Sequence, residues 1–169
     1  LERGLIGPGS VARRQALLRE LSLPAHLTPN ALLEALFDPL EEFLTPQEAA
    51  KLYHVDAKRI QWDCEHAGEG AVFSLAETRR SGNTWLLTRN AALRVYEGKE
   101  MPAYAIDPLL LVFSTVEAAH IWNRDSGVVR SAAGGAGHAA ARMHEGDRRK
   151  SGRIWLVRRE AMERLFGQS

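Results

Sequence analysis

Apolar and polar residues follow two recurring patterns along the chain. Segments 44–53 and 113–122 place apolar side chains three and four residues apart, the spacing of one face of a helix. Segments 80–91 and 150–161 each combine a strand-like apolar run with the start of a further helix. The first pair of segments aligns at an offset of 69 residues and the second pair at 70, in the same order. This order predicts one structural unit that occurs twice.

The beginning of the repeated unit has the pattern of a capped helix. Thr45 can accept hydrogen bonds from the first turn, Pro46 suits the first helical position, and Glu48 completes a capping box. Ser114 and Glu117 repeat this arrangement in the second copy. Each copy is therefore expected to begin with a helix whose starting point is set by its sequence.

A three-residue turn and a second helix are predicted next in each copy. Turns 54–56 and 123–125 both end in an aspartate, which can cap the following helix. The second helices are predicted over 57–66 and 126–133. A helix, a tight turn and a second helix form the outline of a helix-turn-helix motif.

A β-hairpin and a closing helix are predicted to complete each copy. In the second copy, the returning strand is expected over 154–157 and the helix over 158–166. Trp85 and Trp155 are expected to fill the space between hairpin and helices. The first copy has four predicted segments: a strand over 71–78, a turn over 79–83, a returning strand over 84–87 and a helix over 89–96.

The flanking regions divide the chain further. Residues 1–10 include Gly7-Pro8-Gly9-Ser10, a run similar to the remnant of a cleaved tag, and are left out of the predicted fold. Leucine-rich residues 11–42 predict N-terminal helices that either pack on the first copy or form a dimer face. The remaining regions are the first copy over 43–98, a connector over 99–112 and the second copy over 113–169.

The repeated unit resembles a known DNA-binding family. The pattern T-P-x-E-A-A, a three-residue turn, a short helix, and then a basic residue followed by x-G-x-x-W-L is similar to the MerR and excisionase type of winged helix-turn-helix. The resemblance implies a mainly α fold with small β-hairpin wings, as tandem winged helix-turn-helix domains behind an N-terminal helical segment. It also implies that the second helix enters the major groove while the wing contacts the neighbouring backbone or minor groove.

The second copy departs from this pattern at two places. Arg124 stands where the first copy has the expected apolar turn residue, Val55. The glycine-rich segment 134–149 also takes the place of a compact first wing strand. The sequence therefore predicts the same fold for the second copy, but it does not predict that this copy reads bases.

Charge is unevenly distributed, although the whole chain carries 22 basic and 21 acidic residues. Residues 1–42 have a net charge of −2, whereas residues 113–169 have a net charge of +4. Affinity for DNA comes mostly from basic groups that meet phosphates. The basic second copy therefore favours a nucleic-acid partner. The acidic N-terminal residues 1–42 favour the alternative of a protein partner.

The candidate DNA-binding residues lie on the second helix and the wing of each copy. Gln61 can pair with an adenine edge, and Arg59 with guanine or phosphate. Asp63 and Glu65 are expected on the outer side of that helix, because they would repel phosphates in a groove. The first copy contributes Lys58, Arg59, Gln61, Trp62, Arg79, Arg80 and Asn83, and the second contributes Arg130, Ser131, Arg148, Arg149, Lys150 and Arg153.

These features predict a sequence-specific double-stranded DNA-binding protein that regulates transcription by repression, and no enzyme. Cys64 is the single cysteine and falls on an inward helix face, and the histidines lack metal-ligand spacing, so we predict no catalytic residue, metal or cofactor. No apolar run reaches the length of a membrane span, and a bacterial cytoplasmic location is expected. A head-to-tail tandem would read a direct repeat or an asymmetric site, unless the N-terminal helices formed a homodimer.

Two other functions fit the same sequence. The first is an excisionase-like architectural factor, or a factor that helps to package phage DNA. The second is a protein-interaction module, such as an antitoxin that binds its partner through the winged domains or the acidic N-terminal helices.

Overall fold

The structure is a computed structural model, and it describes residues 38–104 and 106–169. The predicted tail over 1–10 and almost all of the predicted N-terminal helical segment lie outside the described residues. Within the described residues, the chain forms two modules of the same design, each with three helices and a three-stranded antiparallel sheet. The predicted fold class is confirmed for these residues.

Module 1 covers residues 38–98. Its sheet has the strand order β1-β3-β2, so the hairpin β2–β3 is flanked by the short strand that precedes the first helix. The elements of module 1 are β1 (Phe43–Leu44), α1 (Pro46–Tyr53), α2 (Ala57–Glu65), β2 (Thr78–Ser81), β3 (Thr84–Thr88) and α3 (Arg89–Glu97).

Module 2 covers residues 107–167 and repeats this order. Its sheet has the strand order β4-β6-β5, which matches that of module 1. The elements of module 2 are β4 (Val112–Ser114), α4 (Thr115–Ile121), α5 (Ser126–Gly134), β5 (Arg148–Ser151), β6 (Ile154–Arg158) and α6 (Arg159–Phe166).

The predicted caps set the helix boundaries. The Thr45 hydroxyl accepts a hydrogen bond from the Glu48 amide at 3.3 Å, and the Glu48 carboxylate accepts one from the Thr45 amide at 3.0 Å. Asp56 and Asp125 accept hydrogen bonds from the first turns of α2 and α5. Because these acceptors satisfy amides that a helix start leaves unpaired, the helices begin within one residue of the predicted positions.

The first wing strand and the module boundaries differ from the sequence prediction. We expected a strand over 71–78, but β2 begins at Thr78 and the turn is only Gly82-Asn83, with Ser81 paired to Thr84. Residues 71–77 instead form turns around buried Phe73. Each module also begins earlier than expected, because 3-10 turns and strands over 39–44 and 108–114 belong to the repeated unit.

Three apolar clusters stabilise the structure. One lies inside each module, and both Trp85 and Trp155 are partly buried against the cluster of their own module, as expected. The third cluster contains side chains from both modules, and it is formed by Leu40, Phe43, Leu86, Leu109, Val112 and Leu156. The two modules therefore share a core in addition to their separate ones.

Polar contacts between the modules surround this shared core. Arg79 of β2 forms an ion pair with Glu117 of α4, and Arg149 of β5 forms one with Glu48 of α1. The Ser81 hydroxyl donates to the Ser114 hydroxyl at 3.1 Å. The Thr45 and Ser151 hydroxyls lie 2.8 Å apart in a hydrogen bond. We refer to these eight residues as the inter-module interface.

Candidate nucleic-acid interface

Helix α2 presents a polar face to solvent and an apolar face to the core. Ile60 and Cys64 are buried, and burial raises the pKa of the Cys64 thiol to about 12, with the charges of Asp63 and Glu65 adding to the effect. The exposed positions of α2 include all four predicted contacts: Lys58, Arg59, Gln61 and Trp62. The structure therefore brings these four side chains together on one accessible surface.

Arg59 and Trp62 are arranged as a stack on this face. The Arg59 guanidinium carbon lies 5.5 Å from the centre of the Trp62 ring, and the Trp62 ring stacks on His66 with ring centres 3.9 Å apart. Trp62 is 51% exposed, which is high for so large an aromatic side chain. Arg59 keeps 63% of its side chain exposed although its Nε donates to Asp63 at 3.3 Å.

The acidic residues of α2 do not share one environment. Asp63 was expected on the outer side of the helix, but it is buried, because its position follows Ile60 by three residues and lies on the inward face. Glu65 is exposed, but it lies on the same face as Gln61 and accepts a hydrogen bond of 3.0 Å from the Gln61 amide nitrogen, so it does not point away from the predicted contacts as expected.

Helix α5 of module 2 presents a different outward face. Arg130 is exposed and Ser131 is half-buried, and both line an open groove of about 510 Å³ between α5 and the following loop. Arg142 lines the same groove from the loop, and its guanidinium lies 5.3 Å from the Phe166 ring centre. Sequence reasoning missed Arg142 because the fold of the glycine-rich loop, which brings it beside α5, has no periodic signal.

The adjacent arginines of β2 point in opposite directions. Arg79 was expected at the wing contact, but its guanidinium binds Glu117 and donates to the Leu109 and Val112 carbonyl oxygens at 2.8 and 2.6 Å. Arg80 is exposed, since successive strand residues face opposite sides of a sheet. Its Nε donates to the Gly82 carbonyl of its own turn, at 3.2 Å. Asn83 at the tip is also exposed.

The wing of module 2 divides its basic residues in the same way. Arg149 was expected to be free for phosphate, but it binds Glu48 and donates to the Phe43 carbonyl at 3.2 Å. Arg148 donates to the Ala133 carbonyl and lies 5.1 Å from the Trp155 ring centre. Lys150 and Arg153 are exposed. The wings thus offer Arg80, Asn83, Lys150 and Arg153 to solvent, while Arg79 and Arg149 hold the modules together.

Within the described residues, no group of three or more His, Cys, Asp or Glu side chains could hold a metal ion. None of the helices described here is both long enough and apolar enough to cross a membrane.

Comparison with known proteins shows a family whose model matches the chain twice. The family model described as a helix-turn-helix domain matches residues 36–101 and again residues 106–169. No curated protein and no solved structure matches the chain significantly. The two matched ranges include every element described above and meet in the segment that joins the modules. The chain therefore belongs to the helix-turn-helix domain family, with two copies of the domain in tandem.

Proposed function

We propose that this protein binds double-stranded DNA in a sequence-specific manner and acts as a transcriptional repressor by occupying a promoter. The observation that carries the proposal is the outward face of α2, where Lys58, Arg59, Gln61 and Trp62 are exposed while their neighbours form the core. These side chains lie outside the apolar core, although Arg59 also pairs with the buried Asp63. They combine phosphate binding, hydrogen bonding to base edges and stacking, as a DNA-reading helix requires.

The wings supply a second set of contacts in this proposal. Arg80 and Lys150 occupy equivalent outward positions on β2 and β5, and Asn83 and Arg153 lie at the two tips. The cations Arg80, Lys150 and Arg153 would meet phosphates beside the groove that the helix enters, and Asn83 would donate a hydrogen bond there, which raises affinity without reading sequence. We assign Arg79 and Arg149 to the inter-module interface and not to DNA.

The resemblance to the MerR and excisionase type supports this division of roles. Both copies have the capped first helix, and both have a glycine in the wing turn followed three residues later by tryptophan, Gly82 with Trp85 and Gly152 with Trp155. In that family type the second helix enters the major groove. By analogy, α2 and α5 are the recognition helices of this protein.

Binding to a labelled random duplex, measured by fluorescence anisotropy at low and moderate salt, tests the proposal. Affinity should fall steeply with salt because bound phosphates release counterions. Arg59→Ala and Arg80→Ala should each weaken binding by about 1–3 kcal/mol, or lower by about one the slope of the logarithm of affinity against the logarithm of salt concentration. Lys99→Ala removes an exposed cation outside both faces and is the matched control. No binding at either salt, or equal losses in all three variants, would contradict the proposal.

A protein partner is the second candidate, and the exposure of Trp62 favours it. An aromatic side chain that is half exposed at the centre of a polar face is typical of a contact residue in protein interfaces as well. If the same face binds protein, Trp62→Ala should abolish capture of that partner while random duplex DNA produces no anisotropy change at low salt.

A further inference from the structure

The contacts between the modules are reciprocal. Residues of module 1 correspond to residues of module 2 at an offset of 69 before the wing and 70 within it. The pair Arg79–Glu117 therefore corresponds to the pair Arg149–Glu48, with the module that supplies each partner exchanged. The hydroxyl pair Ser81–Ser114 corresponds in the same way to Ser151–Thr45.

The backbone contacts and the shared core repeat this exchange. Arg79 donates to the Val112 carbonyl and Arg149 donates to the carbonyl of the equivalent residue, Phe43. The shared core consists of three equivalent pairs: Leu40 with Leu109, Phe43 with Val112, and Leu86 with Leu156.

Reciprocity of this kind identifies the symmetry. A head-to-tail arrangement joins one patch of the first unit to a different patch of the second and leaves each without its counterpart. When the operation that carries module 1 onto module 2 also carries module 2 onto module 1, it is a twofold rotation. The modules are thus related by an approximate twofold axis through the shared core, which corrects the head-to-tail arrangement expected from the sequence.

The two recognition faces differ although their inward positions are alike. Ile60 and Val129 are equivalent and both are fully buried. On the outward positions, however, module 1 has Lys58, Arg59, Gln61 and Trp62 where module 2 has Gly127, Val128, Arg130 and Ser131. Side chains of different chemistry read different bases.

We infer that the chain is a single-chain counterpart of a symmetric dimer and that its preferred DNA site is an inverted repeat with two unlike halves. This inference rests on the proposed function, because it names the class of DNA that the same two faces would take. A twofold axis between recognition helices sets the two half-sites in opposite orientation, whereas a translated tandem sets them in the same orientation.

Selection of bound duplexes from a random pool, followed by sequencing, tests the inference with the full chain. The expected motif has two blocks in opposite orientation, with different sequences. A direct repeat, or one block alone, would overturn the inference while leaving DNA binding intact. Failure to enrich any motif would overturn the proposed function of sequence-specific binding, and the inference with it.

Two variants assign the halves. Gln61→Ala should weaken binding about fivefold or more through one block, and Arg130→Ala through the other, because each side chain belongs to one recognition face. The readout is the affinity for duplexes in which one block at a time is scrambled. Both variants must retain the circular dichroism and melting temperature of the parent, which is expected because both side chains are exposed. If both variants lost discrimination at the same block, the inference would be wrong.

Discussion

The Arg79 Nη1 donates to both carboxylate oxygens of Glu117, at 2.7 and 2.6 Å. This bond joins the wing of one module to the first helix of the other, with both side chains less than one quarter exposed. Glu117 also lies at the third position of α4, where it is part of the helix start. One carboxylate thus links the helix start of module 2 to the wing of module 1.

Replacement of Arg79 by alanine should destabilise the whole chain. It leaves Glu117 without its cation in a partly buried site and removes donors from two backbone carbonyls, so we expect a loss of about 2 kcal/mol in the free energy of unfolding. Urea denaturation measures it. Arg80→Ala changes the adjacent, exposed arginine and should stay within about 0.5 kcal/mol of the parent. Equal effects of the two substitutions would contradict the assignment of Arg79 to the inter-module interface.

Gly82→Ala should destabilise the protein more than Gly152→Ala does. Both glycines have a φ of 59°, so an alanine at either position carries the same backbone strain. Only at Gly82 would the added Cβ approach the other module, at 3.0 Å from the Ser114 hydroxyl oxygen and 3.4 Å from Val116. At Gly152 nothing lies within 4 Å. Thermal melting of the two variants compares them directly, and equal melting temperatures would show that the wing of module 1 does not pack on α4.

Cys64 should resist thiol reagents in the folded protein. Its side chain is 1% exposed and its pKa is about 12, so both access and the thiolate fraction are low near neutral pH. An Ellman assay at about pH 8 should give no fast reaction until denaturant is added, when one thiol per chain reacts. Fast labelling without denaturant would mean that α2 opens from the core.

Asp147 should make stability fall in acid. Burial alone would raise the pKa of this carboxyl, but hydrogen bonds from the Arg164 guanidinium and the His144 amide outweigh burial and lower it. A group whose pKa is lower in the folded state stabilises the fold above its unfolded pKa and loses that effect as pH falls through the folded value.

Stability measured from about pH 5 downward should therefore decline more in the parent than in Asp147→Asn. At neutral pH the variant should be the less stable of the two. Identical pH profiles for the parent and the variant would show that the Asp147–Arg164 pair contributes nothing.

The elements inside each module were accessible to sequence reasoning because their signals are local. Thr45 with Glu48 and the aspartates before α2 and α5 determine helix starts within a few residues of themselves. The two-residue strand before α1 has no such signal. Its pairing with β3 depends on a residue more than forty positions away, Phe43 with Thr88, so no local pattern reveals it.

The candidate site was predictable on the helices but not on the wings. Helical periodicity placed Lys58, Arg59, Gln61 and Trp62 outward. For the wings, composition suggested that every basic residue was available, whereas strand alternation directs Arg79 and Arg149 into the inter-module interface. Both copies have two adjacent basic residues on the first wing strand, Arg79-Arg80 and Arg149-Lys150, and a glutamate at the start of the first helix, Glu48 and Glu117. This repeated combination was the sequence signal of the inter-module interface. Such a signal can be interpreted only when a chain is compared with itself.

The shared core of three equivalent side-chain pairs also affects how the protein behaves on dilution and over generations. A complex of two separate subunits dissociates when its concentration falls below the dissociation constant, whereas covalently joined halves stay together at any concentration. A mutation in the gene of a homodimer alters both halves at once. Here one recognition helix can acquire a new preference while the other retains its own, and Leu86 and Leu156 continue to hold the pair together.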